Sequence, residues 1–185
     1  MLDGSRPLMV SSPQLFLVVL GGRVEGCNVE LHDVRFVAGV TIDETLPQLR
    51  RQWFGTRKGL HIDSYAVVRQ VDGHRVELKP ECWHGSKQLY FVNLGGYDPG
   101  QFAELHQFGL VVADSSKAAV AQAKRQWFGA VKQKHKDDLV NVDDCLVVSQ
   151  LNLIDSTRLH VHLIDDQGLF PEVPLVPDWY GYRLI

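Results

Sequence analysis

The sequence predicts an α+β fold built twice over: two tandem copies of a strand-strand-helix-strand-strand module, each an antiparallel sheet covered by one helix, related by a pseudo-twofold axis. Three observations carry this expectation. The first is self-similarity. Displaced by 74 residues, positions 14–55 match positions 88–129 at seventeen of forty-two places without a gap, where chance at ordinary composition gives about two or three. The second is the alternation of apolar runs rich in β-branched and aromatic residues with one amphipathic stretch per copy. The third is size. Each copy is about 65–75 residues, small enough that burial against its twin contributes much of its stability, and two copies are too few for a solenoid.

Each element has a local reason. Leu15 to Leu20 and Leu89 to Leu94 are apolar runs closed by Gly-Gly, the pattern of a buried strand ending in a turn. A second extended stretch follows, Val34 to Val40 in the first copy and Phe108 to Ala113 in the second. Thr41 and Glu44 then form a capping-box pattern opening a helix expected to run to Phe54. Pro47 removes one backbone bond, which places the start at Asp43. The apolar face of this helix is Leu46, Leu49 and Trp53; the second helix opens after Asp114-Ser115-Ser116 and repeats the spacing with Val120, Ala123 and Trp127. Gly55 and Gly129 stand where a left-handed helix end is expected. Past this glycine the register slips by six, so Asp63–Gln70 matches Asp143–Gln150 at an offset of 80, and an insertion falls within 130–141. A hairpin closes each module: Tyr65 to Val71, the turn Asp72-Gly73 and Arg75 to Leu78, then Cys145 to Leu151, Asp155-Ser156 and Arg158 to Leu163. The modules are therefore 14–79 and 88–164, with a loose leader at 1–13, a linker at 80–87, and a tail at 165–185. Pro171, Pro174, Pro177, Trp179, Tyr180 and Tyr182 make that tail apolar enough to dock on the core or on a second subunit as a homodimer.

Composition narrows the function classes. Nineteen basic against twenty-two acidic residues leave a net charge of −3, which disfavours nucleic acid and anionic membranes as partners. The longest clean apolar run is six residues, far short of the roughly 20 that cross a bilayer. The leader lacks the apolar h-region of a signal peptide. Three cysteines, Cys27, Cys82 and Cys145, without a Cys-x-x-Cys spacing, suit a reducing cytoplasm.

The segment Gly21-Gly22-Arg23, then Gly26-Cys27-Asn28-Val29-Glu30-Leu31-His32-Asp33, with the later Arg-Gln-Trp-Phe-Gly, resembles the uncharacterised, mostly bacterial family catalogued as Domain of Unknown Function (DUF1543). The resemblance spans both modules and supports two tandem copies. It implies no activity, and no functional residue is carried over from it.

The sharpest chemical feature is Glu30-x-His32, repeated as Glu104-x-His106. Residues two apart in an extended chain point to one side, so each copy presents a carboxylate with an imidazole. If the pseudo-twofold brings both pairs together, Glu30, His32, Glu104 and His106 form a two-His, two-carboxylate site for a divalent transition metal such as Zn, Mn or Fe. The expected function is binding of a small molecule or a protein at the repeated Gly-Gly to Glu-x-His segments, with Arg23, Asn28, Glu30, His32, Asp33, Glu104 and His106 as its residues. A metal-dependent hydrolase or oxygenase built on the paired Glu-x-His is the alternative, and a purely structural, oligomerising protein the third. Five further features weigh less. Cys27 has Gln101 as its counterpart, which speaks against a repeated thiol nucleophile; Gly21-Gly22-Arg23 lacks the following helix of a phosphate loop. His160-x-His162 lies on a strand whose counterpart carries Glu77. Arg-Gln-Trp-Phe-Gly reads as core anchoring at a helix end, and Lys132, Lys134, His135 and Lys136 as a solvated loop.

Overall fold

The computed structural model describes residues 12–98, 100–128, 140–166 and 174–185. Its elements in the first copy are β1 (Gln14–Gly22), β2 (Leu31–Gly39), α1 (Ile42–Gln52), β3 (His61–Val67), β4 (Gln70–Val71) and β5 (His74–Lys79). The second copy repeats them as β6 (Gln88–Gly96), β7 (Leu105–Ala113), α2 (Ser116–Phe128), β8 (Val140–Val147), β9 (Gln150–Asn152) and β10 (Arg158–Asp165), and β11 (Trp179–Leu184) follows. Three antiparallel sheets result, ordered β11-β3-β1-β2, β7-β6-β8 and β4-β5-β10-β9.

The apolar runs are continuous because β1 and β6 are buried on both faces. Phe16, Val18 and Leu20 face the helix side with Ile42, Leu49 and Trp53; Leu15 and Leu17 face the other sheet, where Leu89, Phe91, Leu110 and Val112 meet them. Tyr90, Val92 and Leu94 pack under Ala119 and Ala123 of α2. The layers are helix, sheet, sheet, helix, with Phe36 set edge-on to Phe91 at 5.4 Å across the middle. Burying a leucine or phenylalanine in such a core contributes about 1.5–3 kcal/mol.

The hairpins depart from the expected course. The stretch expected as one strand from Tyr65 to Val71 breaks at Val68-Arg69, and Cys145 to Leu151 breaks in the same place. Each chain turns the corner with a matching bond, Val68 N–H to the Leu15 carbonyl and Val148 N–H to the Leu89 carbonyl, both 2.8 Å. The hairpins thus leave their own sheets and build the third sheet jointly. There β5 pairs with β10, and Gln70↔Arg75 answers Gln150↔His160, so Glu77 and His162 are equivalent residues and also direct cross-strand partners. The pseudo-twofold axis passes between them. Val71, Leu151, Leu159, Val161 and Leu163 turn inward from this sheet and close one end of the sandwich.

The copies clamp each other reciprocally. Gln48 on α1 donates to the Asn152 carbonyl at 2.8 Å, and its counterpart Gln122 on α2 donates to Asp72 at 2.8 Å. Asp72 also accepts from Val112 N–H and Gln126. It occupies the first hairpin's Asp-Gly turn with φ of 46° beside Gly73 at 70°, the conformation such turns require.

Three helix-end expectations are corrected. Helix α1 starts at Ile42 and ends at Gln52, with Pro47 inside it and Trp53 as an extended C-cap. Thr41 makes no side-chain cap; the Glu44 carboxylate accepts from Val40 N–H instead. Gly55 is not left-handed. It is glycine because a Cβ there would lie 2.4 Å from the Arg23 carbonyl oxygen. Gly129 and the basic loop 132–136 lie outside the described residues. The tail strand β11 docks on β3 of the first copy, where Trp179 stacks on Tyr65 and Arg183 reaches Asp43 in the first turn of α1.

Candidate functional site

The face of β1 that looks toward the other sheet ends at Gly21. Its neighbours in the register are His32 on β2 and His61 on β3, so three residues form one row with two imidazoles flanking a glycine. The glycine is required by close approach: a Cβ would stand 2.4 Å from His61 Nε2. Immediately beside this row β3 bulges, since Val19 pairs with Ser64 but Leu20 pairs with Ile62. Asp63 is the extra residue, and a bulge re-aims its side chain. Its two oxygens reach both imidazoles, Oδ2 to His32 Nε2 and Oδ1 to His61 Nε2, each at 3.1 Å. Glu30 Oε1 stands 3.7 Å from His61 Nδ1. Ligand atoms of Glu30, His32 and His61 all lie within 4.8 Å of one another.

His61 is buried and oriented from two sides. Its Nδ1 lies 2.8 Å from the Gly59 carbonyl, and Tyr182 of β11 covers the ring at a centroid distance of 4.0 Å. A carbonyl can only accept, so Nδ1 carries the proton. Nε2 is left facing a carboxylate oxygen, a contact that takes a proton or a metal cation between the two atoms. His32 is half exposed and Glu30 about a third, which leaves the cluster open to solvent on one side.

The second copy repeats the frame without the second imidazole. Gly95 lies between His106 and Asn141, and the β6–β8 pairing shifts at the same place, leaving Asp143 as the bulged residue. Asp143 holds His106 through Nδ1 at 3.0 Å, whereas Asp63 meets Nε2 of His32. Glu104 is hydrogen-bonded by Tyr97, whose hydroxyl it holds above the ordinary phenol range by its negative charge. The four-residue convergence expected of Glu30, His32, Glu104 and His106 does not form among the described residues: each histidine is held by the aspartate of its own copy, on a different sheet. Among the described residues, Glu30 and His32 are completed by His61 instead.

Comparison with known proteins gives the same division. The family Domain of Unknown Function (DUF1543) matches twice, over residues 27–78 and 101–149. The chain belongs to this family. Each DUF1543 match contains the Glu-x-His segment and the bulged aspartate of its copy, and begins after the Gly-Gly strand. A crystal structure of the protein Il1583 from Idiomarina loihiensis is similar at 40% identity, with a TM-score of 0.71, covering 93% of this chain and 97% of that one. No curated protein matches significantly.

The remaining candidates in this DUF1543 chain take other places. Asp33 pairs with Leu20 and so points to the helix side, where it meets Arg35. Arg23 contributes its carbonyl, which accepts from Thr56 N–H at 2.7 Å, and Asn28 lies exposed in the loop. Cys27 accepts from Val24 N–H at 3.3 Å and closes a turn. His162 bonds the Glu81 carbonyl under Trp83, and His160 faces Cys82 at 3.7 Å. All three cysteines are free. No helix among the described residues is long and apolar enough to cross a membrane. The twin Arg-Gln-Trp-Phe-Gly motifs diverge in packing: Trp53 sits on Gly22, but Trp127 sits on Gly109, where the first copy has Arg35.

His61 and Asp63 are absent from the sequence-derived set. Asp63 recurs as Asp143, a repeated carboxylate in an apolar strand, which was the available signal. His61 has no repeated counterpart and gave none.

Proposed function

We propose that the first copy of this DUF1543 protein binds a divalent transition-metal ion through His32, His61 and Glu30, with Asp63 completing or orienting the set. The carrying observation is His61. Its Nδ1 is anchored on a backbone carbonyl, the second contact that metal-binding histidines habitually make, and its Nε2 is delivered beside His32 to a shared carboxylate. Ligand atoms around an ion at about 2.1 Å stand roughly 3.0–3.4 Å apart, and the two 3.1 Å separations match. Two histidines with carboxylate suit Zn, Fe(II) or Mn. The Glu-x-His segments act as a binding site in the first copy, while Asn141 leaves the second with one nitrogen ligand.

Titration of chelator-stripped protein with Zn(II), followed by calorimetry, and with Co(II), followed by its visible absorption, tests the proposal. One ion per chain is expected. His61→Asn, which reproduces the second copy, should abolish binding while His106→Ala leaves it intact. Binding unaffected by His61→Asn, or no binding in a folded wild-type protein, overturns it.

A further inference from the structure

A cavity of about 380 Å³ lies between the copies. Its floor is the inner face of the first sheet, Leu17, Val19, Ser64 and Ala66; its wall is β7 with Phe108 and the end of α2 with Trp127; Pro174 to Pro177 close its side. A cavity of about 350 Å³ stands at the equivalent place by Gln52 and Gln150–Asn152, and the two differ in their linings. Gly109 replaces Arg35, so Trp127 swings onto the β7 backbone and turns an indole toward the space. The floor also has a direction. Val19 and Ser64 form its last row, and the next row of the same sheet face is His32, Gly21 and His61, about 6.5–7 Å further along the strand.

From this continuity we infer that the cavity takes the aromatic body of an uncharged small molecule whose carbonyl or hydroxyl oxygen points to the His32–His61 site. The inference rests on the metal reading for its polar end and deepens it. Charge selects the class. Among the described residues, Asp72 is the one acidic or basic side chain lining the cavity, and it is already engaged by Val112 N–H, Gln122 and Gln126. The described lining offers no Lys or Arg to hold an anion. At the far end two carboxylates, Glu30 and Asp63, balance a divalent ion, so the next ligand is best a neutral oxygen. Ser64, Gln70, Gln107 and Gln126 add neutral polar groups to the lining, with the Gln70 and Gln126 amides already donating to Asp166 and Asp72. A phenyl ring with an oxygen one short linker away spans the single row spacing.

The test compares phenylacetamide, acetamide and phenylacetate on Zn(II)-loaded protein by calorimetry or ligand-observed NMR. Phenylacetamide should bind roughly tenfold or more tightly than acetamide, from burial of its ring, and more tightly than phenylacetate. Phe108→Ala and the exposed Val176→Glu should each erase the advantage over acetamide without changing Zn(II) affinity. Equal binding of phenylacetamide and acetamide overturns the inference, as does preference for phenylacetate, or indifference to both variants. The metal titration reports separately. If no ion binds while a Phe108-dependent preference for phenylacetamide persists, the metal reading falls and the cavity's assignment stands.

Discussion

Gly21 and Gly95 occupy the same place in their copies, yet a methyl group added at each meets different neighbours. At Gly21 it meets the ring of His61, which is buried between the Gly59 carbonyl and Tyr182 and has nowhere to go. At Gly95 it meets the ends of Glu104 and Asp143, which are flexible carboxylates at the surface. Gly21→Ala is therefore expected to cost about 1–3 kcal/mol, the usual range for overpacking, and to remove Zn(II) binding. Gly95→Ala should cost less and leave metal binding unchanged. Thermal melts with and without Zn(II) check both, and equal losses in the two variants would contradict the assignment. The same residues show what sequence can reveal about a site. Glu30 and His32 are legible because duplication repeats them. Asp63 is repeated too, but its aim depends on a bulge, which leaves no mark in the residue pattern. His61 is invisible to any argument from repetition, since it is where the copies differ.

Strands and helices were legible to the extent that periodicity decides them. The doubly buried β1 and β6, the helix stripe of Leu49 and Trp53, and the Asp72-Gly73 turn all follow from local pattern. The break at Val68-Arg69 does not. Both halves of that strand are extended and apolar, and only the bonds to Leu15 and Leu89 show that they serve different sheets. The docking of β11 was likewise legible as apolar tendency but not as a place. Its anchor is Asp178, which accepts from Val67 N–H at 2.6 Å and from Arg69 at 2.9 Å. These groups are partly exposed, so Asp178→Ala should cost only about 1 kcal/mol, while amide exchange over residues 179–184 accelerates more than in β1. Unchanged exchange there would place the anchor elsewhere. A second test concerns β5. Lys79 and Arg75 flank Glu77 and hold its carboxyl below the usual range, with the Lys79 hydrogen bond the largest cause. A folded-state value below the unfolded one adds stability that is present above the unfolded value and is lost as pH falls through the folded one. Glu77→Gln should therefore lower stability at neutral pH and flatten its decline between the unfolded carboxyl range and lower pH, in urea melts taken across that interval.

The duplication sets the behaviour of the whole molecule. Besides the helix-side cluster of each copy, the copies share a central core, because Leu15 and Leu17 of one and Leu89 and Phe91 of the other form a single cluster closed by a sheet that both build. An arrangement of this kind behaves as one cooperative unit, so heat or urea should unfold both copies in a single transition, and Trp emission and far-ultraviolet circular dichroism should coincide. Asp72 is the place to test the coupling. It belongs to the first copy, yet among the described residues its carboxylate is bonded by the second: Val112 N–H, Gln122 and Gln126. Two effects of substituting it must be separated, the turn and the clamp. Asparagine adopts positive φ about as readily as aspartate and retains one acceptor oxygen, whereas alanine loses both the turn preference and the acceptors, stranding Val112 N–H. Asp72→Ala is expected to cost about 2–4 kcal/mol, combining an unsatisfied donor with lost charge-assisted bonds, and Asp72→Asn about half of that. If the clamp dominates, Gln122→Ala in the Asp72→Ala background should cost less than Gln122→Ala alone, since its partner is already gone. Full additivity of the two, or a wild-type protein whose copies melt separately, would mean that the modules stand independently.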